Sequence, residues 1–210
     1  DTYVFGNGYG TDRFVDVDGE VSSGHEILDF SGATTSLTFT MADSGFSAAA
    51  GSGNLLTFGN FVREESGFVW IDALKLGSGS DTGAITAFPT HQINLTDAGG
   101  SDTYDFDVDA ADAAQSLFRV DIADSTGSSD QIDLDLNSTG GHDVYLHPQA
   151  VLLNHLHVSF SAGIETLNLT DHAAATTITT QPARSNTTTQ PGGPNTLLVK
   201  SGVTVKSATG

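Results

Sequence analysis

Three glycine-rich turns carry the residue types in this chain that are best suited to holding a cation. Each places an aspartate two residues after a glycine, in GYGTD (Gly8–Asp12), GSGSD (Gly77–Asp81) and GGSD (Gly99–Asp102). Glycine lets the backbone turn tightly and aim carbonyl oxygens inward, and aspartate adds an anionic oxygen, so these turns suit calcium with its about six to eight oxygen ligands. The predicted metal-binding residues are Asp1, Asp12, Asp81, Asp102, Gly10, Gly79 and Gly100.

Other chemistry is less well supported by the sequence. An ordinary Asx turn is the competing interpretation of the turn aspartates. His155 and His157 would lie on one side of a strand, but polar residues on a sheet surface explain them more simply than a zinc or copper site. Alternating carboxylates such as Asp133 and Asp135 fit an exposed sheet face, and no G-x-S-x-G nucleophile turn occurs. We therefore predict no catalytic residues and no enzyme.

Short alternating segments that could position the turns recur along the chain. Hydrophobic and polar residues alternate between turn residues, a pattern typical of strands with one buried face. The segments are Phe14–Val17, Glu26–Phe30, Ser36–Met41, Phe68–Leu76, Gln92–Leu95, Leu117–Ile122, Gln131–Leu136, Asp143–His147, Leu156–Phe160, Ile164–Leu169 and Thr196–Ser201. A short candidate helix lies at Asp109–Ser116, with a connecting turn as the alternative. The sequence predicts an all-β fold.

Two pairs of segments resemble one another and suggest an internal repeat. DTYVF (Asp1–Phe5) is similar to DTYDF (Asp102–Phe106), and Trp70–Thr82 is similar to Gly163–Thr177. Degenerate repeats of short strands and glycine-rich turns are typical of a solenoid, in which each rung buries its apolar face against the next. We predict a parallel β-solenoid or β-roll, with an antiparallel β-sandwich as the alternative.

A segment rich in proline and threonine interrupts the strand pattern at 179–195. Its lack of apolar periodicity is typical of a surface loop or linker. We therefore predict a β-solenoid module at 1–178, a loop or linker at 179–195, and terminal strands at 196–210. Because Asp1 falls within a turn motif, we expect the chain to be part of a longer protein.

The glycine–aspartate turns resemble the nonapeptide repeats of the repeats-in-toxin family, G-G-x-G-x-D-x-U-x, where U is a large apolar residue. The resemblance is clearest in Asp1–Met41 and Leu74–Asp107, where Asp1–Phe14, Leu74–Thr82 and Ala98–Phe106 carry the turns and Gly24–Met41 resembles the strand pairs between them. It implies a right-handed parallel β-roll that binds calcium at its turns, within a large secreted or surface bacterial protein.

The sequence departs from that pattern at three positions. Asn7 and Leu76 stand where the first glycine is expected, and Gly83 occupies the apolar position after Asp81. The turns also occur singly along the chain, whereas sites in the family take ligands from consecutive turns. Calcium ligation is thus a less direct implication of the resemblance than the fold.

The charge of the chain limits its partners. It has 26 acidic and 7 basic residues, and the resulting net charge of −19 repels phosphate backbones and anionic lipid while attracting cations. We predict neither nucleic-acid binding nor membrane insertion, and no apolar segment is long enough to span a bilayer. Cysteine is absent, so disulfides and thiolate metal sites cannot stabilise the fold.

These features predict a secreted, extracellular or cell-surface structural module of an adhesin, surface-layer or fibre-forming protein. Calcium ions are the expected partners, together with self-association or contact with neighbouring modules through exposed strand edges. The alternative is a carbohydrate-binding module with an aromatic platform for glycans. Its candidate residues are Phe58, Phe61, Phe68 and Trp70, which the solenoid core or a cap over its end would also explain.

Overall fold

The chain forms an all-β structure with almost no helix. The computed structural model describes residues 2–14, 26–42, 45–59, 71–86, 92–109, 111, 117–124, 126–127, 129–136, 143–147, 149–171, 177–180, 196–199 and 204–207. Within these ranges, helical backbone occurs at Val108, Asp109 and Ala111, at the start of the candidate helix. A search of these residues for a helix of sufficient length and hydropathy to span a membrane found none.

The described residues form strands that are short, as the frequent turn residues predict. In chain order they are β1 (Thr2–Gly6), β2 (Thr11–Phe14), β3 (Glu26–Gly32), β4 (Leu37–Ala42), β5 (Gly45–Ala50), β6 (Leu55–Gly59), β7 (Ile71–Lys75), β8 (Thr82–Ile85), β9 (Ile93–Thr96), β10 (Thr103–Asp107), β11 (Phe118–Ala123), β12 (Asp130–Leu136), β13 (Asp143–His147), β14 (Ala150–Leu152), β15 (Leu156–Phe160), β16 (Ile164–Asp171), β17 (Thr177–Thr180), β18 (Thr196–Val199) and β19 (Thr204–Ser207).

Two mixed sheets contain these strands. Sheet 1 has ten strands in the order β1-β3-β7-β9-β11-β15-β14-β13-β17-β19, and sheet 2 has nine in the order β18-β16-β12-β10-β8-β4-β5-β6-β2. Most neighbouring strands are parallel, and the antiparallel pairs are β4–β5, β5–β6, β13–β14 and β14–β15. The described strands therefore form neither a closed barrel nor the antiparallel sandwich considered as the alternative.

The chain alternates between the two sheets. A strand of sheet 1, the corner that follows it and the next strand of sheet 2 together make what we call a rung. Five rungs, β3–β4, β7–β8, β9–β10, β11–β12 and β15–β16, pair directly with the rung before or after them in both sheets. The antiparallel hairpins are additions: β5 and β6 separate β4 from β2, and β14 and β13 separate β15 from β17.

Side chains from both sheets share one hydrophobic core. Along β12 the burial alternates strictly, with Ile132, Leu134 and Leu136 fully buried, as the alternating sequence predicts. Parallel pairing aligns equivalent residues of successive strands, so that Leu28, Leu74, Leu95 and Ile122 form one buried column in sheet 1. Each rung therefore buries its apolar residues against those of the next.

Most predicted strand segments coincide with strands, but the two apparent repeats are not equivalent rungs. β1, which contains Thr2–Phe5 of the first segment, lies in sheet 1, whereas β10, from its partner, lies in sheet 2. Likewise β7 belongs to sheet 1 and β16 to sheet 2. The likeness of these segments reflects the alternation that strands of both sheets need. The prediction that these segments are equivalent units of an internal repeat was therefore wrong.

The glycine at the expected apolar position after Asp81 is explained by the core. Gly83 pairs with Phe39 on β4 and Tyr104 on β10. A Cβ atom added to Gly83 would lie 2.0 Å from Cζ of Phe39, so the fully buried Phe39 ring fills the space that a side chain here would need. Gly83 and Phe39 thus share one position in the core.

Replacing Gly83 by valine is expected to lower the free energy of unfolding by about 1–3 kcal/mol, because the core is overpacked at Phe39. Urea unfolding of the variant would measure this loss. Combining Gly83→Val with Phe39→Ala should cost less than the sum of the single changes, since each makes room for the other. Ala84→Val, at the next residue and on the opposite face of β8, is the matched control and should have little effect. Additive costs would contradict the shared position.

Candidate metal centre

Three corners that lead from sheet 1 to sheet 2 stack on one another in successive rungs. They join β7 to β8, β9 to β10 and β11 to β12. Backbone hydrogen bonds link them, including Ala98 N to Gly77 O at 3.2 Å, and Gly100 and Gly127 form a parallel bridge. Two of these corners contain the glycine-rich turns Gly77–Asp81 and Gly99–Asp102, which occur singly in the sequence but are consecutive in space.

Glycine allows the corners to approach this closely. A Cβ atom on Gly100 would lie 2.0 Å from Gly79 O, and one on Gly79 would lie 2.5 Å from Ser36 N of the preceding rung. Gly100 also has φ of +148°, which a residue with a side chain rarely adopts. A Cβ atom on Gly127 would lie 2.1 Å from Asp130 Oδ2. These glycines bring backbone and carboxylates of neighbouring corners together.

Five aspartates are buried at the stacked corners, and we call them the aspartate corner: Asp81, Asp97, Asp102, Asp124 and Asp130. None is more than 6% exposed. Their carboxylate oxygens form two groups, each with its ligand atoms within 4.8 Å of one another. The first aspartate group is Asp81, Asp97 and Asp102, and the second is Asp102, Asp124 and Asp130.

A ladder of backbone N–H donors fixes one column of these carboxylates. Leu37 N donates to Asp81 Oδ1 at 2.7 Å, Asp81 N to Asp102 Oδ1 at 2.6 Å, and Asp102 N to Asp130 Oδ1 at 2.9 Å. Asp130 N in turn donates to Glu165 Oε2 at 2.7 Å. Each acidic side chain therefore accepts a hydrogen bond from a backbone N–H at the start of the sheet 2 strand in the preceding rung. These bonds align the acidic side chains in one column.

Asp97 and Asp124 form a second column, just after the ends of β9 and β11. Gly99 N donates to Asp97 Oδ2, and the Tyr104 hydroxyl donates to Asp124 Oδ2 at 3.3 Å. The register Leu95–Ile122 makes the two aspartates equivalent in their rungs. Both columns thus face the same corner from opposite sheets.

Within the described part of the chain, each of the five aspartates has one carboxylate oxygen that no hydrogen-bond donor reaches. These oxygens are Asp81 Oδ2, Asp97 Oδ1, Asp102 Oδ2, Asp124 Oδ1 and Asp130 Oδ2. A buried polar atom without a partner is costly, and buried like charges repel one another as well. A proton or a cation between such oxygens would make their proximity favourable.

Burial raises the pKa of every carboxyl in the aspartate corner, and repulsion between carboxylates adds to this effect at Asp81, Asp97, Asp124 and Asp130. Burial is the largest cause and raises the pKa of Asp81 and Asp124 to about 6 and that of Asp97 to about 8. Neighbouring carboxylates raise the pKa of each further, and the pKa values of Asp102 and Asp130 shift in the same direction. Among the described residues, no basic side chain contributes to any of these five pKa shifts.

The donor set fits a hard cation. In the described part of the chain, the two groups that could hold a metal ion consist of aspartates alone. Carboxylate oxygen is the ligand that calcium, magnesium and manganese prefer, whereas zinc and copper favour nitrogen or sulfur. The aspartate corner could therefore hold a metal ion of the first kind.

The structure brings together some of the residues predicted as ligands. Asp81 and Asp102 belong to the two aspartate groups, and Gly79 and Gly100 lie in the same stacked corners. Asp12, in contrast, is exposed on β2 and belongs to neither group. Gly10 has φ of +79°, and its N–H donates to Asn54 Oδ1. Asp1 lies outside the described residues.

Sequence reasoning missed Asp97, Asp124 and Asp130. Asp130 immediately precedes the alternating residues of β12, as Asp102 precedes those of β10 and Asp81 those of β8, so its position at a strand start was a usable signal. Asp97 and Asp124 follow sheet 1 strands without a Gly-x-Gly motif before them. Only the strand register shows that they are equivalent.

Two other candidate sites gain no support from the described residues. His155 and His157 join no group of metal ligands in this part of the structure. Of the candidate glycan platform, Phe61, Phe68 and Trp70 lie outside the described residues, as does the side chain of Phe58. The carbohydrate-binding alternative stays a prediction.

Comparison with known proteins adds no relative from which a function could be taken. No protein-family model matches the sequence. Neither a search of curated proteins nor a search of solved structures returned a match.

In a chelator, raising the pH is expected to destabilise the folded protein. Because the folded-state pKa values of Asp81, Asp97 and Asp124 are raised, the folded state binds more protons than the unfolded chain above about pH 4. The free energy of unfolding should therefore fall as the pH rises to about 8. Urea unfolding across this interval measures the change.

Asp97→Asn is expected to flatten the upper part of this decline, because it removes the carboxyl whose pKa reaches about 8. Asp12→Asn, at an exposed carboxylate, is the matched control and should leave the profile unchanged. A chelated wild-type protein that becomes more stable over the same interval would contradict the assignment.

Proposed function

We propose that this chain is a non-catalytic structural module whose fold is stabilised by calcium ions bound at the aspartate corner. The observation that carries the proposal is the set of five buried carboxylates, each with an oxygen that has no hydrogen-bond donor. An uncompensated cluster of this kind would oppose folding at neutral pH. A bound cation converts the same cluster into a cross-link between rungs.

Calcium is the cation that best matches the site. It tolerates irregular coordination by carboxylates and backbone carbonyls, whereas magnesium needs near-octahedral geometry and gives up its water reluctantly. The aspartate corner is almost dry, with Asp102, Asp124 and Asp130 fully buried. A binding site with so little access to solvent favours the ion that sheds its hydration shell more readily.

The alternation of the chain between the two sheets suggests the architecture of the proposed module. In our interpretation the rungs form a parallel two-sheet β-solenoid, interrupted by the hairpins β5–β6 and β13–β14. Direct pairing of successive rungs in both sheets supports this reading, and so does the shared core. The resemblance of the turns to repeats-in-toxin sequences agrees with it, although the family remains part of the proposal.

A structural role is favoured over catalysis by the position of the acidic groups. Catalytic carboxylates of a polysaccharide-cleaving enzyme must face a cleft that the substrate can enter. The five aspartates with raised pKa values are instead enclosed between rungs and almost inaccessible. Asp133, one of the alternating carboxylates, accepts hydrogen bonds from Gln131 on the same strand.

We place the module outside the cell, at the cell surface or in a secreted fibre. Calcium-binding modules with a Kd of about 10⁻⁴–10⁻³ M are filled in extracellular fluids. Sheet 1 begins with β1 and ends with β19, and these two strands run in the same direction. The same is true of β2 and β18 at the two ends of sheet 2. Neighbouring modules or further copies could therefore extend both sheets at once.

Calcium is expected to raise the melting temperature of the chelator-treated protein. Free calcium at a hundred times Kd should add about 2.7 kcal/mol per site, or about 5–10 °C for a chain of this size. Magnesium at the same concentration should raise it less, and sodium chloride at equal ionic strength controls for screening. Equal melting temperatures with calcium and with chelator would rule out the proposed function.

Self-association has its own test. In calcium, sedimentation velocity at rising protein concentration should show elongated oligomers that grow by end-to-end addition. Val4→Lys places a charge at an exposed position of the end strand β1 and should reduce this growth. A monomer at every concentration would argue against fibre formation by this chain without affecting the calcium proposal.

A further inference from the structure

The two aspartate groups have one residue in common. Asp102 belongs to both, whereas Asp81 and Asp97 belong only to the first and Asp124 and Asp130 only to the second. The five aspartates do not form one group, so a single ion would leave part of the aspartate corner without a cation. Every one of the five carboxylates nevertheless has an oxygen without a donor.

Resting on the proposed function, we propose that the aspartate corner binds two calcium ions, one in each aspartate group, and that Asp102 bridges them. The first ion would join the β7–β8 rung to the β9–β10 rung, and the second would join β9–β10 to β11–β12. Two ions supply four positive charges to five carboxylates, which leaves the buried cluster with one net negative charge.

Apolar side chains end the site on the side of β7. The register Lys75–Thr96 places Leu76 at the position of Asp97 one rung earlier. The register Thr38–Thr82 likewise places Leu37 at the position of Asp81. Both leucines are buried in the hydrophobic core, so the corner before Asp81 offers no carboxylate to a third ion.

The two columns of acidic residues differ where they reach the β15–β16 rung. The register Ile122–Phe160 places Ala162 at the position of Asp124 one rung later, so the second column has no further acid there. The neighbouring Ser161 Oγ accepts from Asp124 N at 3.0 Å and donates to Asp124 O. Glu165 accepts from Asp130 N and adds one more carboxylate to the first column, but it belongs to neither aspartate group. Among the described residues, the acidic side chains therefore form two groups that could hold an ion.

The sharing of Asp102 predicts how the single sites respond to substitution. Asp97→Asn should remove the first ion and leave the second, and Asp124→Asn should do the reverse. Asp102→Asn takes a ligand from both ions, and we expect it to weaken both by at least about 10-fold, the lower range for losing a supporting group at a metal site. Asn keeps the shape and the hydrogen-bond acceptor of Asp in each case.

Isothermal titration of the chelator-treated chain with calcium chloride, together with native mass spectrometry, tests these expectations. The proposal requires two ions per wild-type chain, one in Asp97→Asn and one in Asp124→Asn. Asp12→Asn should still bind two and is the matched control. Circular dichroism in excess calcium verifies that each variant is folded, and if Asp102→Asn does not fold, the counts for the wild type and the other two variants decide.

One ion, or three, per wild-type chain would overturn the proposal, and so would an Asp102→Asn variant that retains one site at full affinity. These results are distinguishable from failure of the proposed function. A single ion that still raises the melting temperature would leave the calcium-stabilised module intact and remove only the bridge. No calcium effect on stability would remove both.

Discussion

The fold depends on how the chain compensates carboxylates that are buried between stacked corners. Backbone N–H groups satisfy one oxygen of each carboxylate in the Asp81–Asp102–Asp130 column, and the donor comes from the preceding rung. These bonds align the starts of the sheet 2 strands, so the corner sets the register that lets apolar residues meet in the core. The second oxygen of each carboxylate has no hydrogen-bond donor among the described residues. The corner that determines register is therefore also the corner that depends on solution conditions.

Equivalent corner positions hold different kinds of side chain in successive rungs. In the earlier rungs these positions hold apolar side chains: Phe5 stacks on Phe30 with ring centroids 4.7 Å apart, and Leu76 follows in the next rung. From β9 onward Asp97 and Asp124 occupy the equivalent positions. A hydrophobic corner is stable without ions, whereas an ionic corner is not. Stability should therefore be distributed unevenly, with the rungs around β9–β12 the most sensitive to whether these carboxylates are protonated or bound to a cation.

Much of the secondary structure could be predicted from sequence, because alternation within a strand is a local signal. Asp81 and Asp102 were also identifiable from their glycine-rich turns. The stacking was not, because the rungs differ in length: successive ladder residues from Leu37 through Asp81, Asp102 and Asp130 to Glu165 are 44, 21, 28 and 35 residues apart. Intervals that vary this much do not produce a repeat of constant length in the sequence. The search for an internal repeat therefore matched strands that look alike but belong to different sheets. It did not reveal that Asp97 and Asp124 are equivalent.

The variation in rung length has a structural cause that also limits where an ion site can form. The longest intervals contain the hairpins β5–β6 and β13–β14, which add two strands to sheet 2 near one end and two to sheet 1 near the other. Strands lie about 4.8 Å apart, so each insertion makes one sheet advance about 10 Å farther than the other. Carboxylates from opposite sheets can stay aligned only where both sheets advance by one strand per rung. That condition holds from β3–β4 to β15–β16, and the whole ladder from Leu37 to Glu165 lies within this interval. The hairpins thus lie outside the uniform stretch that the aspartate corner requires.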